Sequence, residues 1–336
     1  MAATLKDIAR ESGLSIATIS KYINGTTVKE KNRIAIEQAI KKLNYTVNEY
    51  ARGLKSNKSR TIGVVIPELS NLFVTKIITK MEEILRAHGY STVICDCHTN
   101  EKLECEAVQF LLSKRVDGII NMPVCKDGRH LKPALLQHVP ITLIDRPLPA
   151  LGNATDSVLI NNSGAAFCAT QHLLEHGHKN IGIVVGPVDI FTSQQRLEGY
   201  KQALHNQNLP FKESLVVYSD YTIQGGYEGL CKLLTVNPDM TAIFVTNYEM
   251  TLGAIIAANE RNLQIPQKLS FLGFDNMQMS LITNPKLTIV NQPLEEIATQ
   301  TARIILDRLT GENTSDSAIS VSLSASLQHG DSVARR

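Results

Sequence analysis

No apolar run in this sequence approaches the length needed to cross a bilayer, which excludes a spanning helix and the membrane partner it would imply. The amino terminus is polar and opens directly into a helix. It lacks the succession of basic, apolar and small residues that marks a signal peptide, so a cytoplasmic location is expected. Cysteine is sparse and unpatterned. Cys95, Cys97, Cys105, Cys125, Cys168 and Cys231 show no framework spacing, and in a chain of 336 residues they are expected as buried free thiols. Cys95, Cys97, His98 and Cys105 invite a metal reading. However, Cys95 and Cys97 fall two apart on an expected strand, facing one layer of core, and no second Cys-x-x-Cys or His pair completes a tetrahedral set. We expect no metal and no cofactor.

Enzyme signatures are missing as well. There is no G-x-G-x-x-G, no G-x-x-x-x-G-K-[ST] and no G-x-S-x-G. Gly225-Gly226 at an expected helix start reads as a turn rather than a phosphate cradle. The nine histidines are scattered, and His176-Gly177-His178 reads as a helix C-cap carrying surface imidazoles. No nucleophile with a base and an orienting acid is recognisable, and no enzyme is expected.

What is present is an asymmetry of charge. Residues 1–60 hold twelve Lys/Arg against five acids, a net charge of +7, and the remainder of the chain carries −5. A basic head on an acidic body is the electrostatic footprint of a polyanion-binding module joined to a partner domain.

That head reads as three short amphipathic helices. Thr4 caps the first, with Asp7 three residues on, Leu5, Ile8 and Ala9 facing inward and Gly13 ending it. Ser15 caps the second, where Ile19 and Ile23 lie one turn apart before Asn24-Gly25. The third is expected from about Thr27 to Leu43, with Ile36, Ile40 and Leu43 inward. A tight glycine turn between the first two makes a helix-turn-helix, whose second helix presents its start to base edges in a major groove. Ser15, Ile16, Ala17, Ser20 and Lys21 are the exposed positions there. Ile16 and Ala17 suit thymine methyls, and Lys21 suits a guanine acceptor or a phosphate. The competing reading has Ile16 packed inside a three-helix domain that binds no DNA. Asn48–Ser56 would make about two helical turns, too short and too glycine-broken to be stable alone.

After Arg60 the texture changes to alternating strands and helices. Nine Val/Ile-rich strands are expected between Thr61 and Phe274, separated by helices such as Phe73–His88, Ser163–His176, Thr192–Asn206 and Glu249–Asn262. Regular βα repetition predicts parallel sheets, and nine strands are too many for one compact half. The expected fold is therefore an all-α helix-turn-helix head followed by an α/β body of two Rossmann-like subdomains with a cleft between them.

Thr4-Leu5-Lys6-Asp7-Ile8-Ala9, Gly13-Leu14-Ser15, Ala17-Thr18-Ile19-Ser20-Lys21, Asn24-Gly25, Leu43-Asn44-Tyr45, Asn48 and Ala51-Arg52-Gly53-Leu54 resemble the start of the lactose/galactose repressor (LacI/GalR) family. The likeness continues through Arg115-Val116-Asp117-Gly118, Leu143-Ile144-Asp145-Arg146, Arg196-Leu197-Glu198-Gly199-Tyr200 and Leu272-Gly273-Phe274-Asp275-Asn276, and so covers essentially the whole chain. The resemblance implies a periplasmic-binding-protein-like body and a bacterial, nucleoid-associated repressor. It implies a homodimer on a pseudo-palindromic double-stranded DNA operator, controlled by a small-molecule effector.

The implied boundaries are 1–47 for the DNA-binding domain, 48–60 for a hinge helix and linker, and 61–336 for the effector-binding and dimerisation domain. Within the last, one subdomain takes about 61–161 and 293–322, and the other about 162–292 and 323–336. The implied DNA contacts are Thr4, Ser15, Ile16, Ala17, Thr18, Ser20, Lys21, Asn24, Tyr45, Asn48, Ala51, Arg52, Leu54 and Lys55. Leu54 would be a paired wedge in the minor groove, on a hinge that folds only on DNA.

The implied effector contacts are Phe73, Asp145, Arg196, Tyr221, Asn247 and Asp275. For Arg196 and Asp275 the competing reading is an interdomain salt bridge. Three departures from the family pattern stand out: Lys21 where arginine is commoner, Tyr248 after Asn247 where aspartate is usual, and Leu72 before Phe73 where proline is usual. A sugar or sugar phosphate is the expected effector. A nucleobase or nucleoside and a protein corepressor are the alternatives, and a solute-binding protein for sugar transport is the alternative of a different class. No leucine heptad follows Leu294–Leu309, so a tetramer-forming extension is not expected.

Overall fold

The computed structural model describes residues 3–23, 26–45, 58–275, 277–312 and 317–336, and the chain divides into two units, Met1–Arg60 and Thr61–Arg336. The expected hinge over 48–56 lies outside the described residues.

In the first unit, α1 (Leu5–Ser12) starts at Thr4, whose backbone N–H and hydroxyl both donate to the Asp7 carboxylate (2.9 and 2.7 Å). It ends at Gly13, where φ of +67° needs the freedom of glycine. Ser15 opens α2 (Ile16–Ile23), its hydroxyl accepting from the Thr18 N–H at 3.2 Å. Next, α3 runs Glu30–Leu43, three residues later than the sequence suggested. The β-branched pair Thr27-Val28 disfavours helical rotamers, so the helix waits for Glu30. Ile8, Ile19, Ile36 and Ala39 form the buried centre, with Leu5, Leu14, Tyr22, Leu43 and Tyr45 around it.

The second unit holds two six-stranded sheets. β1 (Thr61–Ile66), α4 (Leu72–Ala87), β2 (Ser91–Asp96), α5 (Glu101–Ser113), β3 (Gly118–Asn121), α6 (Lys132–Leu136), β4 (Ile141–Ile144) and β5 (Asp156–Ile160) build the first. The second contains α7 (Asn162–Glu175), β6 (Ile181–Val185), α8 (Phe191–Asn206), β7 (Val216–Tyr218), α9 (Ile223–Val236), β8 (Ala242–Val245), α10 (Tyr248–Glu260), β9 (Ser270–Phe274), α11 (Met277–Ile282) and β10 (Thr288–Asn291). The chain then returns through α12 (Leu294–Thr310) to β11 (Ser320–Leu323) in the first sheet, and crosses again to β12 (Ser326–Gln328) in the second. The orders are β11-β5-β4-β3-β1-β2 and β12-β10-β9-β8-β6-β7, parallel throughout except for β12 against β10. The chain thus passes between the sheets three times: after β5, after β10 and after β11.

Among the described residues, twelve strands replace the nine expected. β10, β11 and β12 are only three or four residues long and carry Thr, Ser, Asn and Gln, so none holds more than two consecutive Val/Ile residues to announce it. Gly225-Gly226 is not a turn. Both glycines lie inside α9, where a Cβ on Gly226 would run into the Met250 backbone and one on Gly253 into the Ile223 carbonyl, so α9 and α10 cross almost backbone to backbone. His178 is not at the surface either. It is fully buried, with its ring nitrogens at 3.0 Å from the Thr241 hydroxyl and 2.9 Å from the Ala334 carbonyl, because the C-terminal segment after β12 covers it. The cysteines are all free, but only Cys97 and Cys125 are buried and Cys168 is exposed. Cys97 sits one residue past β2, with its thiol donating to the Ile66 carbonyl (3.0 Å).

Candidate functional site

Parallel sheets leave a crevice at the carboxyl ends of their strands, where loops diverge to helices on opposite faces. In this body the residues following β1, β2, β3, β4, β6, β7, β8, β9 and β10 line one cavity of about 470 Å³. Phe73 in the first turn of α4, Asp145 after β4, Arg196 on α8, Tyr221 before α9, Asn247 after β8 and Asp275 after β9 all border it. The six residues implied by the resemblance are therefore brought together.

Three of the six hold an unusual backbone. Asp145 (φ 74°), Tyr221 (φ 64°) and Asp275 (φ 63°) are left-handed without being glycine. Aspartate tolerates this region and tyrosine does so rarely, and such residues concentrate where a side chain must be aimed. Gly186 makes room for one of them, since a Cβ there would occupy the Tyr221 ring. The Tyr221 hydroxyl is 3.1 Å from that of Thr192, at the start of α8.

Arg196 is buried and its guanidinium lies 3.9 Å above the Phe274 ring. Nε donates to Asn162 Oδ1 (2.8 Å) and Nη1 to the Thr246 carbonyl (2.5 Å), while Nη2 has no hydrogen-bond partner among the described residues. No salt bridge to Asp275 forms. Asp275 instead accepts two hydrogen bonds from Gln292 Nε2 (2.8 and 3.0 Å). Burial pushes its carboxyl up to about 6. The Arg196 charge and the Gln292 hydrogen bond pull the other way, and Glu249 and Asp145 add to the rise. Asn247 is engaged at both ends of its amide: Oδ1 accepts from the Met250 N–H (2.9 Å) and Nδ2 donates to Glu249 (2.7 Å). Gln292, Glu249 and Arg146 also border the cavity. Sequence reading missed all three, because each is a common polar residue one or two positions from an element boundary.

Among the described residues, two groups of ligand-type atoms come within 4.8 Å of one another: Glu104 with Cys125 and His130, and Glu68 with Asp96 and His98. Both are already committed. Glu104 accepts from Asn121 Nδ2 and from the Val124 and Cys125 N–H groups (3.0, 3.0 and 2.6 Å), and Asp96 accepts from those of Leu69 and His98. We assign neither to a metal.

In the head, Ser15, Ile16, Ala17 and Lys21 are exposed, and Thr18 and Ser20 half-buried, so Ile16 (43% exposed) is not the core residue of the competing reading. Thr4 is exposed at the start of α1, and half-buried Tyr45 packs on the head's core. Asn24, Asn48, Ala51, Arg52, Leu54 and Lys55 lie outside the described residues.

Among the described residues no helix is long and apolar enough to cross a membrane. Residues 4–48 match the family model described as bacterial regulatory proteins, lacI family, and residues 59–327 match that of periplasmic binding proteins and the sugar binding domain of the LacI family. Catabolite control protein A of Priestia megaterium is 36% identical over 321 residues, covering 95% of this chain and 96% of its own. The HTH-type transcriptional repressor PurR of Proteus mirabilis is 32% identical over 323 residues, with 95% and 94% covered. The structure of a transcriptional regulator CelR–cellobiose complex superposes with a TM-score of 0.74 at 29% identity, covering 98% of this chain and 99% of that one. With its helix-turn-helix head and its body of two sheets, the chain belongs to the LacI family of bacterial regulatory proteins, which are DNA-binding transcriptional regulators and not enzymes.

Proposed function

We propose that the protein is a dimeric repressor in the bacterial cytoplasm, associated with the nucleoid, whose hold on a pseudo-palindromic operator is set by a sugar-like effector in the cleft between the two sheets. Residues 1–47 read the DNA, 48–60 act as the hinge and 61–336 bind the effector and dimerise. Ile16, Ala17 and Lys21 contact base edges and Leu54 wedges the minor groove. Phe73, Asp145, Arg196, Tyr221, Asn247 and Asp275 hold the effector, with Asn247 exchanging its Glu249 partner for the ligand.

The observation carrying this reading is the convergence of the buried Arg196 and the left-handed Asp145, Tyr221 and Asp275 on one cavity of ligand size. The named relatives support it: one is called a repressor and another is complexed with cellobiose. Coupling follows from differential affinity. A ligand that binds one relative orientation of the subdomains better than the other biases whichever state permits the hinge to fold. The rings of Phe73, Tyr221 and Tyr248 at the cavity also suit a nucleobase, which makes a nucleoside the second reading.

Fluorescence anisotropy with the DNA upstream of the protein's own gene tests the regulator. Specific, salt-sensitive binding is expected, and Leu54→Ala should weaken specific binding far more than non-specific binding. Equal losses on both DNAs would remove the wedge.

A further inference from the structure

The charge of the cavity wall narrows the effector. Glu68, Asp145, Asp220, Glu249 and Asp275 border it against only Arg146 and Arg196, five carboxylates to two guanidiniums, a net −3 when all are ionised. Both guanidiniums are partly committed, leaving Arg196 Nη2 as the open donor of the buried one. Arg146 Nε donates to Asp145 (3.2 Å), and two of the three Arg196 nitrogens are spent on Asn162 and the Thr246 carbonyl. Helix starts, the usual alternative source of anion-binding N–H groups, are mostly closed as well. Asn71 caps α4 by accepting from the Phe73 and Val74 N–H groups, Thr222 caps α9 through Gly225, and Asn247 caps α10 through Met250. Near the cavity, α8 and α12 open without a side-chain cap. Acceptors, by contrast, are in surplus: buried Gln292, also on the cavity wall, has an Oε1 with no hydrogen-bond partner among the described residues. An unpaired buried acceptor calls for a ligand donor.

Resting on the effector reading above, we propose that the cleft selects a polyhydroxylated ligand bearing no phosphate or carboxylate. Its hydroxyl or amine hydrogens go to Asp275, Asp145 and Gln292, and phosphate esters of the same ring are rejected. Hydroxyls and amines supply donors to match this wall's surplus of acceptors. A phosphate dianion brings more acceptors and two like charges to a wall that is already negative.

The test is thermal unfolding of the full chain, wild type and Arg196→Ala, with matched sets: hexoses and nucleosides, their phosphate esters, and amino sugars, together with inorganic phosphate and pyrophosphate at tens of millimolar. A ligand that binds only the folded state raises Tm. Within each set, stabilisation should come from the unphosphorylated or amine-bearing member, with the ester at least about tenfold weaker. Inorganic phosphate and pyrophosphate should give no shift that Arg196→Ala removes. An ester that stabilises more than its parent sugar, or a phosphate shift lost in Arg196→Ala, overturns the proposal while leaving the cleft as effector site. A sugar or nucleoside shift that survives both Arg196→Ala and Asp275→Asn places the ligand elsewhere and overturns the effector reading itself.

Discussion

At the scale of single residues, the cavity is governed by side chains held in unfavourable states. Burial pushes the Asp275 carboxyl up to about 6, with Glu249 and Asp145 adding to the rise and the Arg196 charge and the Gln292 hydrogen bond opposing it. A folded pKa above the unfolded value means that the fold favours the protonated acid. The stability contributed by this group is present below about 4 and is lost as pH rises through 6. Ligand binding has the opposite slope, since the ionised carboxylate is the better acceptor for a hydroxyl. Effector affinity should rise between pH 5 and 7, and Asp275→Asn should flatten that profile; calorimetric titration across this range reads both. Gly186 offers a second handle. Gly186→Ala puts a methyl where the Tyr221 ring stands. We expect about a tenfold loss of effector affinity, with DNA binding of the ligand-free protein unchanged, since the ring must shift while the head is untouched.

At the scale of elements, stability is concentrated where helices meet sheets or each other. Asp156 at the start of β5 takes a bidentate pair from Arg308 on α12 (2.9 and 2.7 Å) and also accepts the Ile319 N–H (2.8 Å), so one buried carboxylate ties β5, the end of α12 and the segment entering β11. Arg308→Ala strands that carboxylate and should cost about 3–5 kcal/mol in urea unfolding. The α9–α10 crossing is similarly unforgiving. Gly253→Ala meets backbone rather than a side chain that can turn away, so about 1–3 kcal/mol of destabilisation is expected from strain at that contact. Glu104 anchors the loop after β3. Burial raises its carboxyl, but the His130 contact (3.2 Å) and the Cys125 N–H outweigh it and hold the group down to about 2. A depressed carboxyl contributes stability above its unfolded value, near 4.5, and loses it as pH falls toward 2. Acid unfolding of wild type should therefore steepen over that window, whereas Glu104→Gln should be less stable at pH 7 and less acid-sensitive.

At the scale of the whole molecule, the two units divide the labour of the family. The basic head meets DNA and the acidic body meets a small ligand. A fragment beginning at Thr61 should keep effector-induced stabilisation and lose DNA binding, because the cavity draws every wall residue from 61–336. For the full chain, the logarithm of operator affinity should fall linearly with the logarithm of salt concentration, by an amount set by the phosphates that the head neutralises. Binding indifferent to salt would sink the electrostatic role of the head.

Much of this was legible in the order of residues. Caps, glycine stops and apolar periodicities are local, so the head's helices and the parallel-strand body could be read directly. The positions of Arg196 and Asp275 were marked by motifs that lie beside them in the chain. The sequence by itself determined which residues are available: a +7 head, a run of Val/Ile strands and a set of acids placed after strand ends. Tertiary structure decided what those residues do to one another. Only the converging sheets put five carboxylates following five separate strands on one wall, buried His178 beneath the C-terminal segment, and turned Gly225-Gly226 from a turn into a helix crossing. Only the fold shows Arg196 spent on Asn162 and Thr246 rather than on Asp275. Burial, backbone strain and charge balance depend on distances between residues remote in the chain, and no local pattern carries them.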